Sequence, residues 1–146
     1  DCLVGSEMCI RDRWRDVQRR ANFYGFDAKV PAPYPLKEFD LANKVAILGK
    51  DQGWIKEYTI LTYKKWFLEH LEPGSEPNLS SSLKEIGLDS ESVIKMAQTD
   101  EIEQKYLQNT EMAKNKGIFG SPTFIVENEV FWGDDRCEDA IKWLLK

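Results

Sequence analysis

What this chain has little of narrows its chemistry first. Its 146 residues hold one histidine, His70, and three cysteines, Cys2, Cys9 and Cys137. The cysteine spacings match neither a redox Cys-x-x-Cys nor the paired ligands of a zinc site. His70 ends an apolar helical pattern beside Leu71 with no acid or base placed by spacing, so a surface or interface role is expected rather than catalysis. Long apolar runs are missing too: the best stretches are broken by Lys and Glu short of the roughly 20 residues a membrane span needs. No run of five basic residues offsets the net charge of −5, which argues against a nucleic-acid or anionic-membrane binder. The composition therefore predicts a soluble protein whose partners are small molecules or proteins.

The first 13 residues, "DCLVGSEMCIRDR", have neither the apolar core of a signal peptide nor the period of an amphipathic helix. They resemble translated sequencing-adapter read-through, with "EMCIRDR" similar to a transposon-end adapter read in frame. Residues 1–13 are accordingly expected to be non-native, and the domain to occupy 14–146. Without Cys2 and Cys9, Cys137 has no intrachain partner, and a reducing cytoplasm is the expected compartment.

What is present suits one domain: 42% of residues are apolar and five are Trp, enough for a core. Trp14, Val17, Ala21 and Tyr24 fall three or four apart, the spacing of one helix face, and Gly25 is placed to stop it. "KVPAPYPL" must be a non-helical strap, because its prolines remove backbone donors and hold the preceding residues extended. From about 40 to 116 five helical patterns follow. Ser82 with Glu85 has capping-box spacing, Ser90 is placed to cap the next helix, and Gly53, Gly87 and Gly117 mark ends. Tyr58, Tyr63, Trp66 and Phe67 read as helical core, or as the wall of an apolar pocket.

After Gly117 the period changes. "PTFIV" and "EVFW" are β-branched and aromatic runs separated by Glu127-Asn128, a tight turn in which Asn tolerates positive φ. A closing helix carries Cys137, Ala140, Ile141, Leu144 and Leu145 on one stripe, with Asp135 and Glu138 at capping-box spacing. Phe124, Ile125 and Val126 are apolar on both strand faces, as in the middle of a covered sheet. Two strands alone are marginal, so further strands are expected upstream of residue 14.

Two places in 117–146 bear on chemistry. Pro122 opens a strand, where a cis peptide after Ser121 would expose that residue's backbone groups to a peptide-like ligand, although an isolated X-Pro bond is usually trans. Asp134 and Asp135 precede a helix, where carboxylates and free N–H groups suit an amino-acid head group, although caps are the commoner use of Asp there. Cys137 lies on the apolar stripe and reads as an inert thiol.

"GIFGSPTFIVENEVFWGDDR" (117–136) with its terminal helix is similar to the C-terminal signature of 2-hydroxychromene-2-carboxylate isomerases and kappa-class glutathione transferases, in the DsbA-like branch of thioredoxin folds. "WRDVQRRANFYGF", "PYPL" and "ANKVA" extend the resemblance over 14–146. It implies an α/β thioredoxin-like fold in which 40–116 is an all-helical insertion and 117–146 the ββα half, with the first βαβ unit upstream. It further implies that Pro122 is the family's cis-proline and that Ser121 pairs through its backbone with the cysteinyl part of glutathione. Asp134, Asp135 and Arg136 would hold the γ-glutamyl head, and Trp132 and Gly133 would shape the approach. The family's catalytic serine has no counterpart here, so the chain alone is expected to be inactive. The implied activity is glutathione-dependent cis/trans isomerisation of a small aromatic carboxylate by a homodimer. A thiol-disulfide oxidoreductase with an upstream Cys-x-x-Cys and a non-catalytic glutathione-binding domain are the alternatives.

Overall fold

The computed structural model describes residues 7–146. The chain divides into two compact units, one reaching Glu103 and the other spanning Gln104–Lys146. The reading of residues 1–13 as non-native lies partly outside the described residues. From Glu7 the chain is helical, so the first helix, α1 (Glu7–Phe23), takes in residues for which the sequence shows no amphipathic period.

The first unit continues with α2 (Phe39–Gln52), α3 (Ile55–Glu69), α4 (Asn78–Glu85), α5 (Ser90–Ala97) and the opening of α6 (Asp100–Asn115). Its core gathers Val45 and Leu48 of α2, Tyr58 of α3, Leu79 and Leu83 of α4, Val93 and Ala97 of α5, and Ile102 of α6. Within each pair on one helix the spacing is three or four, so both side chains fall on one face. Tyr58 is 2% exposed but Tyr63 is 52% exposed, which corrects its assignment to the core. Five residues turn a helix through about 140°, too far for both tyrosines to share the buried face. Trp66 and Phe67 are half-buried; the Trp66 ring meets the Tyr63 ring edge to face, and the Phe67 ring stacks on it.

Two predicted caps move. Ser82 does not start α4; it is fully buried inside the helix and donates to Asn78 Oδ1 at 2.9 Å. Asn78 opens the helix and donates through Nδ2 to the carbonyls of Thr62 and Leu71 at 3.1 and 2.8 Å. One amide thereby satisfies α3, the loop and α4 together. At α5 the cap is Asp89, whose carboxylate accepts the Ser92 amide at 3.2 Å, while Ser90 is buried in the first turn. Hydrogen bonding from Ser92 holds the Asp89 carboxyl below its usual range.

The strap between α1 and α2 is non-helical as expected and is tied to the end of α3. Lys29 donates its amide to Phe67 O at 2.8 Å, Trp66 Nε1 donates to Pro33 O at 2.9 Å, and His70 Nε2 bonds Lys29 O at 2.9 Å. His70 also ends α3 in the left-handed conformation, with φ of 60°. The sole histidine is thus a clasp on the strap.

The second unit holds the rest of α6 and the hairpin of β1 (Thr123–Val126) and β2 (Glu129–Trp132). A 3₁₀ turn (Asp134–Arg136) and α7 (Cys137–Leu144) follow. The strands pair antiparallel from Thr123↔Trp132 to Val126↔Glu129. The left-handed residue of the turn is Glu127, with φ of 57°, rather than Asn128. All four residues of β1 are half-buried. On the α7 stripe Ala140 is buried and Cys137 half-buried, while Ile141, Leu144 and Leu145 are exposed. The Asp135–Glu138 capping box does not form, because the 3₁₀ turn occupies its place and α7 starts without a side-chain cap.

Candidate functional site

The hairpin register decides what meets what. Because Thr123 faces Trp132, the residues just outside the ladder, Pro122 and Gly133, become neighbours. The Gly133 amide donates to the Pro122 carbonyl at 3.0 Å. The two motifs that flank the strands in sequence, "GSP" and "GDDR", therefore share the open end of one hairpin. The Ser121–Pro122 bond is cis, and Thr123 Oγ1 donates to Gly120 O at 2.6 Å, fastening the turn that leads into β1.

On the other strand Gly133 takes φ of 117°, a region in which a side chain is strained. That value lets the chain leave β2 and wind directly into the 3₁₀ turn, which the Arg136 amide closes on Gly133 O at 3.2 Å. A Cβ at 133 would strike the Asp135 carboxylate, so the glycine and the acid are packed as a pair. Asp134 is half-buried, and Asp135, Ser121 and Pro122 are exposed.

Arg136 closes the same 3₁₀ turn as Asp134 and Asp135. Its Nη1 donates to Asp139 Oδ2 at 2.9 Å, both side chains being exposed, so the guanidinium rests along the first turn of α7. The spacing of three between Arg136 and Asp139 is the helical signal for that pair. Cys137 is half-buried at the start of α7 with a free thiol.

Sequence reasoning missed the aromatic neighbour of Trp132. Phe119 lies with its ring centroid 5.0 Å from that of Trp132, tilted by 57°. The indole covers Gly120 so closely that a Cβ there would strike it. A small residue beside two aromatics was the available signal.

Chemically, the end of an extended strand next to two carboxylates suits a small ligand with peptide and ammonium groups. Among the described residues no group of three His, Cys, Asp or Glu side chains is arranged to hold a metal. None of their helices is long and apolar enough to cross a membrane.

The 2-hydroxychromene-2-carboxylate isomerase of Sphingobium xenophagum is 22% identical over 136 residues, 93% of this chain and 68% of its own length. That of Pseudomonas putida is 22% identical over 121 residues, 83% of this chain and 58% of its own length. A solved structure of selenomethionine 2-hydroxychromene-2-carboxylate isomerase superposes with a TM-score of 0.78 at 22% identity, covering 97% of this chain and 72% of that one. The DSBA-like thioredoxin domain matches residues 9–142, and the chain belongs to that family.

Proposed function

We propose that this chain carries the ligand-clasping half of a glutathione-dependent cis/trans isomerase acting on 2-hydroxychromene-2-carboxylate-like intermediates. The observation that carries the reading is the Gly133 amide on the Pro122 carbonyl at 3.0 Å, which gathers Ser121, Asp134 and Asp135 at one hairpin end. The relatives' shared name as 2-hydroxychromene-2-carboxylate isomerases supports the choice of reaction.

In this reading the Ser121 backbone pairs with the cysteinyl part of glutathione as an added strand. Asp134 and Asp135 take the γ-glutamyl ammonium through charge-assisted hydrogen bonds. Arg136 supports the head group from the adjoining turn, giving up part of its bond to Asp139. Glutathione, when bound, supplies a thiolate that adds reversibly to a conjugated system, so that the neighbouring bond rotates as a single bond before the thiolate leaves. The protein's share is to hold and orient. The serine that the family resemblance associates with the glutathione sulfur has no counterpart in these residues, so binding without turnover is the expected behaviour of the chain. The reading also carries a cytoplasmic homodimer for the full-length enzyme.

Calorimetric titration of the 146-residue chain with glutathione tests the proposal. Binding should weaken by about tenfold or more in Asp134→Asn and Asp135→Asn, the scale of a lost charge-assisted bond. No binding to the unsubstituted chain, or unchanged binding in both variants, would refute the clasp. Turnover of a chromene carboxylate by the chain alone would refute the assignment of the catalytic group to other residues.

A further inference from the structure

Only part of the apolar stripe on α7 is covered. Ala140 is buried, but Ile141 is 52% exposed, Leu144 68% and Leu145 79%. The Leu145 amide donates to Ile141 O at 3.2 Å, so the last turn runs through Leu145 and keeps the three open side chains on one side of the helix, at spacings of three and four. The other open apolar residues of this unit lie elsewhere. The Phe131 ring meets the Trp143 ring at 6.3 Å between centroids, which puts α7 on the sheet face that carries Phe131 and its cross-strand partner Phe124. Val130 and Trp132 alternate with Phe131 and point to the opposite face, where Phe119 joins Trp132. The charges beside the stripe are sorted by helix end: Glu138 and Asp139 stand in the first turn and Lys142 in the last, with Lys146 beyond it. Asp139 is engaged by Arg136 at 2.9 Å, whereas Glu138, Lys142 and Lys146, four apart, form one row along the edge of the stripe.

We propose that Ile141, Leu144 and Leu145 are the contact through which two copies of this chain pair, with their α7 helices antiparallel about a two-fold axis. A two-fold contact uses the same patch on both copies, so the patch must complement itself. Antiparallel helices meet that condition, because Glu138 of each copy comes to the Lys142 and Lys146 end of the other; parallel helices would set like charges together. This self-complementarity selects a second copy as the occupant. The three apolar side chains with the stems of the flanking charges offer on the order of 500 Å² per copy, the low end of specific interfaces, which suits a reversible dimer rather than a permanent one. The contact uses none of Ser121, Pro122, Asp134 or Asp135, so it supplies a surface for a homodimer without depending on the glutathione clasp.

Sedimentation equilibrium of the 146-residue chain should show a reversible monomer–dimer equilibrium. Leu145→Lys puts a charge at the most open position of the stripe and, because the two-fold axis counts each change twice, should weaken the dimer about tenfold or more. A Glu138→Lys chain and a chain carrying both Lys142→Glu and Lys146→Glu should each self-associate about threefold or more weakly. An equimolar mixture of those two chains should recover the dimer, since each now offers the charge that the other lacks. A chain that stays monomeric up to about 500 µM, a dimer that Leu145→Lys leaves intact, or a mixture that associates no better than its components would each overturn the contact. Calorimetry with glutathione on the same chains separates this contact from the clasp. A dimer that binds no glutathione keeps the α7 contact and removes the clasp, and a monomer that binds glutathione does the reverse.

Discussion

Gly133 donates its amide to the carbonyl of Pro122 at 3.0 Å, one step beyond the last cross-strand pair of Thr123 and Trp132. That single bond brings two motifs separated by a hairpin together at its open end. Its geometry depends on a backbone conformation with φ of 117° at Gly133. Gly133→Ala is expected to lose about 2 kcal/mol of stability, the cost of forcing a side chain into that region. Amide exchange at residue 133 should accelerate with it, and an unchanged urea midpoint would contradict the account.

Gly74 occupies a harder corner. It has φ of 78°, and a Cβ there would run into the Glu38 carbonyl, which is backbone and cannot swing aside. Gly74→Ala should therefore cost more than the left-handed penalty alone, about 3 kcal/mol in all. Chemical denaturation monitored by tryptophan fluorescence measures it.

Asn78 is fully buried and makes three hydrogen bonds, two to carbonyls and one from Ser82. Asn78→Ala leaves several buried groups unpaired and is expected to destabilise by about 2–4 kcal/mol. Ser82→Ala leaves one acceptor unpaired and should cost about 1 kcal/mol. A double variant less damaging than the sum would show that the two act as one network.

Glu127 is the residue of the hairpin turn that works against its own preference, with φ of 57°. Glu127→Gly removes the left-handed cost of about 1–2 kcal/mol and adds backbone entropy to the unfolded chain. The net expectation is a gain of about 0.5–1 kcal/mol. A rise in thermal midpoint checks it.

Tyr58 supplies a pH dependence. Burial pushes its hydroxyl up to about 12, above the usual value near 10. Below pH 10 both folded and unfolded chains keep the proton, and the contribution is complete. Between pH 10 and 12 the unfolded chain releases it while the folded chain holds it, so stability falls as pH rises, by about 3 kcal/mol in total. Lys44 is also raised, chiefly by its hydrogen bond with Glu103, and acts in the same direction. The difference between Tyr58→Phe and the unsubstituted chain isolates the tyrosine: the variant should lose the steeper part of the alkaline slope.

Much of this architecture was legible from local pattern. The spacing of Val45 and Leu48, the prolines of the strap and the change of period after Gly117 each prescribe an element through backbone sterics and the burial of one face. Local pattern failed where a side chain had two uses. Ser82 has the spacing of a cap and is a buried partner of Asn78; Ser90 yields the cap to its neighbour Asp89; Asn128 is the better left-handed residue, but Glu127 takes that position in the register. At the open end of the hairpin, the sequence singled out Ser121, Pro122, Asp134, Asp135 and Arg136, and it missed the contact of Phe119 with Trp132 and the bond from Arg136 to Asp139.

By itself, then, the sequence determined the helices, the strap, the hairpin and the residues that flank it, because each follows from contacts within a few positions along the chain. Only the tertiary structure decided that His70 clasps Lys29, that Asn78 serves two carbonyls and a hydroxyl, and that Pro122 meets Gly133. Those contacts join residues separated by folded elements, and their partners are chosen by register and burial, which no local pattern encodes.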